Sequence, residues 1–359
     1  MVKVAILGAN GFIGGRTVEM LHLGDLAEVH PVVRNFAGLA RLSRFDLPHR
    51  IADAFDEKAL CAAFAGCDVV VHAIAGDRRT ILGTLAPAYH AAERAGVRRL
   101  IYLSTASVHG QAPAPGTDES SALNARQVLP YNNAKVEAEK KLRKLHDQGT
   151  VELVTLRPGI VWGPRSVWVT NFVEALGSGN AYLLDQGRGI CNSIYIDNLV
   201  HAIYLAMDAP DVDGGIYLVG DEEQITWADL YRPLAQACGY DVRDIVNVTE
   251  PEFTYRWSDR IKAVHRSRAM QSFLSMFPMR WRKAAYVGLM ELLHVEEQPL
   301  AIASSTPVVT EEMALLYQCR YKLPFTKAKA ELGYNPPIAF EEACGRTTEW
   351  LTFAGYPVA

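Results

Sequence analysis

The apolar positions of this chain fall into short runs separated by longer amphipathic stretches. Val2-Lys3-Val4-Ala5-Ile6-Leu7 is too short an apolar run for a helix and reads as a buried strand. A glycine turn follows, then a helical stretch from about Phe12 to Leu23. Val29 to Val33 reads as a second strand, Glu57 to Phe64 as a helix, and Asp68 to Ile74 as another strand. Leu85 to Ala95 has helical spacing and stops at Gly96. Leu100 to Ser104 reads as a strand. Pro130 suits the first turn of a helix running through Leu145, and Val151 to Leu156 supplies the next strand. Strands alternating with helices of this length predict an α/β fold, a Rossmann-type doubly wound parallel sheet.

After Pro164 the pattern loosens. Gly177-Ser178-Gly179-Asn180 and Gly187-Arg188-Gly189 mark turns, Asp197 to Met207 looks helical, and Ile216 to Val219 reads as a strand. Thr226 is placed to cap a helix through Ala237, and two helical stretches flank Leu332-Gly333-Tyr334-Asn335-Pro336. The expected organisation is a dinucleotide-binding Rossmann domain over residues 1–165. A smaller, helix-rich C-terminal substrate cap is expected over 166–359, partly interleaved with the sheet.

Composition narrows the partners. The 359 residues are 49% hydrophobic and 21% charged, with a formal net charge of -4, so nothing global points to nucleic acid. Six cysteines are scattered without a CxxC pair or zinc-ligand spacing, so no metal is expected and the thiols read as reduced. Met1 leads directly into the first strand, and no apolar run nears the ~20 residues of a membrane span. A cytoplasmic enzyme with a small-molecule substrate is the expectation. One segment stands out: residues 256–283 carry eight basic side chains against a single acid, with aromatic and aliphatic residues between them. A structural amphipathic cap is the favoured reading there, and membrane contact the less favoured one.

Candidate chemistry begins at Gly8-Ala9-Asn10-Gly11-Phe12-Ile13-Gly14, between a strand and a helix. In that position Gly8 permits a tight turn, Gly11 lets the backbone approach a pyrophosphate, and Gly14 lets helix and strand pack closely. The helix start offers free amides and a positive dipole end to phosphate. Asn10, Phe12 and Ile13 within the loop, and Ala73 at the end of the Asp68 to Ile74 strand, complete the cofactor-facing set. The second strand ends Val32-Val33-Arg34-Asn35. An acidic residue there would favour a free ribose 2′-hydroxyl, whereas Arg34 would meet a 2′-phosphate, so NADP is preferred over NAD. Asp53, after the next strand, could contact adenine or simply cap its loop.

Tyr131 and Lys135 stand at i and i+4 near the start of a helix and so share a face. A phenol near its ordinary value of ~10 is a poor base at neutral pH unless a cation favours the phenolate, and Lys135 and an oxidised nicotinamide could supply that field. Tyr131 could then exchange a proton with a carbinol while hydride moves to or from a nicotinamide. Upstream, Leu103-Ser104-Thr105-Ala106-Ser107-Val108-His109-Gly110 puts hydroxyls at the carboxyl end of a central strand, where ligands bind in such sheets. Thr105 or Ser104 could hydrogen-bond the reacting oxygen.

Taken together, these segments resemble an extended short-chain dehydrogenase/reductase of the NAD-dependent epimerase/dehydratase family. Leu156-Arg157-Pro158-Gly159-Ile160-Val161-Trp162-Gly163-Pro164, Tyr195-Ile196-Asp197-Asn198 and the tail Lys327 to Pro336 match as well, so the likeness covers nearly the whole chain. The resemblance implies that Thr105 is the catalytic hydroxyl, Tyr131 the acid/base and Lys135 its orienter. It also implies that Pro158 and Ile160 flank the nicotinamide and that the chain forms a homodimer through the tyrosine helix and the one before it. His109 stands where a tyrosine is common. Within the family, the ending from Val309 through Leu351 is closest to the 3β-hydroxysteroid and sterol-carboxylate dehydrogenase branch.

The expected activity is NAD(P)-dependent interconversion of a secondary alcohol and a ketone, on an apolar or carrier-bound substrate. A nucleotide-sugar epimerase with tightly bound NAD is the alternative, but the basic residue usual in its substrate loop is absent from Gly189 to Ile194. Ala106 and Ser107 replace the acidic pair a dehydratase would want. A non-catalytic NADP-sensing protein is a third reading, and it would have no need of Tyr131 and Lys135.

Overall fold

The computed structural model describes residues 1–241, 243, 245–249, 307 and 309–356 of the chain. The basic segment 256–283 lies outside the described residues. The compact unit made of Met1–Thr249 and Glu312–Ala359 holds both the sheet and the candidate site.

Its centre is a sheet of seven strands. In chain order these are β1 (Lys3–Leu7), β2 (Glu28–Val33), β3 (Arg50–Ile51), β4 (Val69–His72), β5 (Arg99–Leu103) and β6 (Glu152–Pro158). After the short strands β7 (Ile160–Trp162), β8 (Tyr182–Leu184), β9 (Ile190–Cys191) and β10 (Ser193–Tyr195), β11 (Ile216–Val219) is the seventh. The order across the sheet is β11-β6-β5-β4-β1-β2-β3, with every pair parallel. Chain direction reverses across the sheet between β1 and β4, where such folds open a crevice at the carboxyl ends of the strands.

The central strands are apolar at most interior positions because both faces are covered. Val69, Val70 and Val71 of β4 are all fully buried, alternating between two cores. One face packs on α1 (Phe12–Leu23). The other packs on α2 (Glu57–Phe64), the short α3 (Arg78–Gly83), α4 (Leu85–Arg94) and α5 (Pro130–His146). Each such Val, Leu or Ile removed from water contributes roughly 1.5–3 kcal/mol, which is why the strand assignments read from apolar runs hold to within a residue or two.

Later residues build onto this frame. α6 (Val167–Gly177) has no clear signal in the loosened pattern after Pro164, yet it forms behind a Ser166 side-chain cap. α7 (Ile196–Asp208) and β11 join the α1 face and the sheet edge, so residues beyond 165 belong to the central layer as well. β12 (Ile225–Thr226) leads into α8 (Trp227–Ala237), where Thr226 and Asp229 form a reciprocal capping box. β13 (Val246–Val248) pairs with β8. α9 (Glu311–Tyr317), α10 (Thr326–Leu332) and α11 (Phe340–Phe353) complete the described elements.

The Tyr195-Ile196-Asp197-Asn198 motif is structural here. Buried Asp197 accepts from Arg16 Nε at 2.6 Å and Nη2 at 2.8 Å on α1, and from Arg346 Nη1 at 3.1 Å on α11. The glycine-loop helix α1 is thereby locked to α7 and α11. Among the described residues no helix is long and apolar enough to cross a membrane.

Candidate active site

The glycine loop is shaped by contacts that side chains would break. Gly8 has φ +91°, and a Cβ there would come within 3.1 Å of the Ala73 carbonyl at the end of β4. A Cβ on Gly14 would lie 2.3 Å from the Gly8 carbonyl oxygen. Gly11 is the N-cap of α1 and has no side-chain cap, so the first-turn amides face outward, and no acid occupies that turn. Asn10 is exposed, while Phe12 and Ile13 are half-buried at the helix start. This cradle of close backbone and open amides fits a pyrophosphate. Gly8 and Ala73 meet, joining two of the expected cofactor-facing positions.

Arg34 follows β2, is exposed, and has no ion pair or hydrogen bond among the described residues. Arg44, beyond the short turn Phe36–Leu39, is instead bound to Glu19 at 2.6 Å. Asp53 is exposed, and its carboxylate accepts the Phe55 amide at 3.0 Å, which is the loop-capping role. Pro158 ends β6. The Ile160 amide donates to the Asn192 carbonyl at 2.7 Å, and a Cβ on Gly159 would collide with that same oxygen. The Pro158 to Ile160 segment is thus pressed against the 190s strand.

At the carboxyl end of β5, Thr105 caps a short 3-10 turn, Ala106–His109, its hydroxyl oxygen accepting from the Ser107 amide at 3.2 Å. Tyr131 and Lys135 sit one turn apart on α5. Lys135 is 2% exposed and donates from Nζ to the Leu103 carbonyl at 2.7 Å. Its ammonium lies 4.7 Å from the Tyr102 ring centre and 5.8 Å from that of Tyr131.

Burial governs both titrations. It pushes Lys135 down to about 7, an effect opposed by the charge of Glu139, and pushes Tyr131 up to about 12. Lys135 by itself leaves the Tyr131 phenol above its ordinary value, and the oxidised nicotinamide expected to share in lowering it is a separate contribution. Desolvation is the cause of the rise, which leaves the phenol protonated at neutral pH. Beneath them, His72 is driven down to about 3 by burial and by the Lys135 charge. Its Nε2 is 3.1 Å from the Thr84 hydroxyl, which itself donates to the Thr80 carbonyl.

Several residues of this corner do not stand out as functional candidates in the sequence. Glu139, one turn beyond Lys135, is buried against Arg157 of β6. The available signals were a carboxylate on the same helical face as the Tyr131/Lys135 pair and an arginine inside the apolar run Val154-Thr155-Leu156-Arg157. His109 accepts from Arg157 at 3.0 Å where a tyrosine is common. Among the described residues no cluster could hold a metal ion, and all six cysteines are free.

Residues 4–220 match the NAD dependent epimerase/dehydratase family. The chain is similar to a 2-alkyl-3-oxoalkanoate reductase of Stenotrophomonas maltophilia, 29% identical over 66% of this chain and 76% of the relative. It is also similar to 3beta-hydroxysteroid-dehydrogenase/decarboxylase isoform 1 of Arabidopsis thaliana, 24% identical over 96% of this chain and 78% of that one. Among solved structures, the fold is shared with UDP-glucose 4-epimerase of Thermotoga maritima (TM-score 0.67, 19% identity, 98% and 99% of the two chains). It is shared too with the dTDP-glucose 4,6-dehydratase DesIV of Streptomyces venezuelae, solved with NAD bound (TM-score 0.69, 20% identity, 98% and 97%).

Proposed function

The chain belongs to the NAD dependent epimerase/dehydratase family, enzymes of the extended short-chain dehydrogenase/reductase type, and on that premise we propose that it reduces a ketone to a secondary alcohol, or runs the reverse, with Tyr131 as the proton-transfer group. The observation that carries the reading is a half-buried phenol one helical turn from a buried lysine, whose ammonium lies 5.8 Å from the Tyr131 ring centre and is held by the Leu103 carbonyl at the end of β5. A protonated Tyr131 is suited to give its hydrogen to a carbonyl oxygen as that oxygen gains charge. Lys135, near neutrality, can return a proton to the phenolate. The Thr105 hydroxyl, at the end of β5, would bond the same oxygen. Gly8, Gly11 and Gly14 hold the pyrophosphate, with Asn10, Phe12, Ile13 and Ala73 around it and Pro158 and Ile160 beside the ring. The reduced nicotinamide supplies the hydride.

NADP is the preferred cofactor in this proposal, because Arg34 is a free cation at the end of β2 with no partner among the described residues. The substrate lies against the cap drawn from residues 166–359. Similarity to a reductase of oxoalkanoates and to a steroid dehydrogenase supports an apolar substrate over a sugar nucleotide. A homodimer through α4 and α5 belongs to the same proposal, checked by light scattering on the eluting protein.

The deciding experiment incubates the protein with NADPH or NADH and a panel of aliphatic and alicyclic ketones, with UDP-glucose in a parallel series. One cofactor oxidised per ketone reduced is the expected result. Sugar-nucleotide interconversion without net oxidation would replace this reading with the epimerase one.

A further inference from the structure

Four polar side chains of the catalytic corner are bonded to one another, and together they hold the threonine loop at both ends. The Glu139 carboxylate takes two arms of Arg157, Nε to Oε1 at 3.0 Å and Nη2 to Oε2 at 2.6 Å. The same Oε1 accepts the Ser104 hydroxyl. The remaining guanidinium nitrogen, Nη1, donates to His109 Nε2 at 3.0 Å and to the Glu119 carbonyl at 3.0 Å. Ser104 immediately precedes Thr105, and His109 ends the 3-10 turn that Thr105 caps. Both ion-pair partners are almost fully buried, at 2% and 6% side-chain exposure.

We propose that Glu139 and Arg157 are positioning residues for Thr105, gripping its loop at Ser104 on one side and His109 on the other and so fixing where the threonine hydroxyl stands. The inference rests on the proposed hydride-transfer role of Thr105. A buried ion pair needs further partners for its remaining lone pairs and N–H groups, and what matters is which residues supply them. Here one carboxylate oxygen is shared with the residue before the hydroxyl, and one guanidinium nitrogen reaches the end of the turn after it. A displacement of about 1 Å in such a group can lower a rate by about a hundredfold.

The His109 arm works only with a neutral ring. A protonated imidazole has no lone pair for Arg157 and sets a second cation beside it. The charged groups around the ring are Arg157 from β6, Glu139 from α5 and Asp118 from the loop that follows the turn. Burial first, then Arg157, hold His109 below its ordinary value, so the arm is closed at neutral pH. It opens as pH falls beneath that range.

Arg157→Ala would leave a buried carboxylate unpaired and threaten the whole fold, so the tips are the better targets. The test uses the full chain with NADPH and the ketone from the panel that reacts fastest. It reads turnover together with amide exchange over residues 104–110. Ser104→Ala and His109→Leu are each expected to lower kcat about tenfold with KM for NADPH unchanged, the signature of an interaction made in the transition state. Exchange over 104–110 should rise while the glycine loop stays protected. His109→Gln, whose amide oxygen accepts from Arg157, should recover most of both. It should also lose the acid loosening of the loop that the native chain shows. In a Thr105→Ala background, the tip substitutions should leave kcat where Thr105→Ala alone puts it. Equal losses in both backgrounds, or exchange at 104–110 that ignores both tips, overturn the inference. Full turnover by Thr105→Ala would instead remove Thr105 from the chemistry, and the exchange data would still decide whether the loop is clamped.

Discussion

The glycine loop and the catalytic corner, at the carboxyl ends of β1 and β5, are built on opposite principles. The loop works by what it lacks. It has no Cβ at Gly8 or Gly14 and no side chain capping α1, and its backbone lies close to Ala73. The corner works by what it buries: Lys135, Glu139, Arg157, Ser104, His72 and Tyr102, several of them charged. A backbone cradle depends on a few local steric clearances. A buried polar cluster is high-stakes, since each member depends on partners that arrive from distant parts of the chain. The candidate cofactor half of the site is therefore set locally, and the candidate chemical half is assembled from distant segments.

On that contrast, the largest effect belongs to the corner. Tyr131→Phe should lower ketone reduction by about 10²–10⁴-fold while the NADPH dissociation constant, read by nucleotide fluorescence, stays near the native value. A parallel loss of binding would erase the distinction between the two regions.

Next comes Arg34→Ala. Losing a charge-assisted bond of ~1.5–3 kcal/mol should weaken NADPH at least tenfold more than NADH, with melting temperature unchanged. Equal weakening would take Arg34 away from the 2′-phosphate. Gly14→Ala attacks the loop's close packing. Overpacking of this kind typically costs ~1–3 kcal/mol, so thermal unfolding should shift downward and cofactor binding should fail with it. A stable Gly14→Ala chain that still binds cofactor would show that the cradle has slack.

The corner's buried charge also has a stability signature. Lys135 is held at about 7 in the folded chain against 10.5 for an ordinary lysine. Between those values the unfolded chain binds the extra proton, so the stability of the ligand-free protein should rise with pH across that window. Below about 7 both states are protonated, and the penalty for burying the charge is fully present. Urea midpoints at the two ends of the window measure the rise, and Lys135→Met should abolish it. The smallest effect is expected at Asp53→Ala, which removes the cap on the Phe55 amide and should change stability by ~0.5 kcal/mol or less. A large loss of cofactor affinity in that variant would give Asp53 the adenine role instead.

Much of this was legible in the chain itself. Short apolar runs place β1, β2, β4, β5 and β6 because two-sided burial leaves a strand few polar positions. The glycine spacing marks the loop because the constraint there is steric and local. Tyr131 and Lys135 share a face because helix geometry puts i and i+4 together. Other features had no local signal. Arg157 and Glu139 are 18 residues apart in sequence and look like ordinary charges until β6 and α5 are packed side by side. Asp197 reads as part of a family motif, but its clamp on Arg16 and Arg346 spans almost the whole chain.

The sequence by itself determined the parallel sheet, the tight glycine loop between β1 and α1 and the shared helical face of Tyr131 and Lys135, because each follows from periodicity or from a steric rule acting over a few residues. Only the tertiary structure decided the burial of Lys135 and the partners of the Thr105 loop. Those depend on how much water is excluded and on which distant charges are brought within bonding distance, and neither quantity exists until the chain has folded.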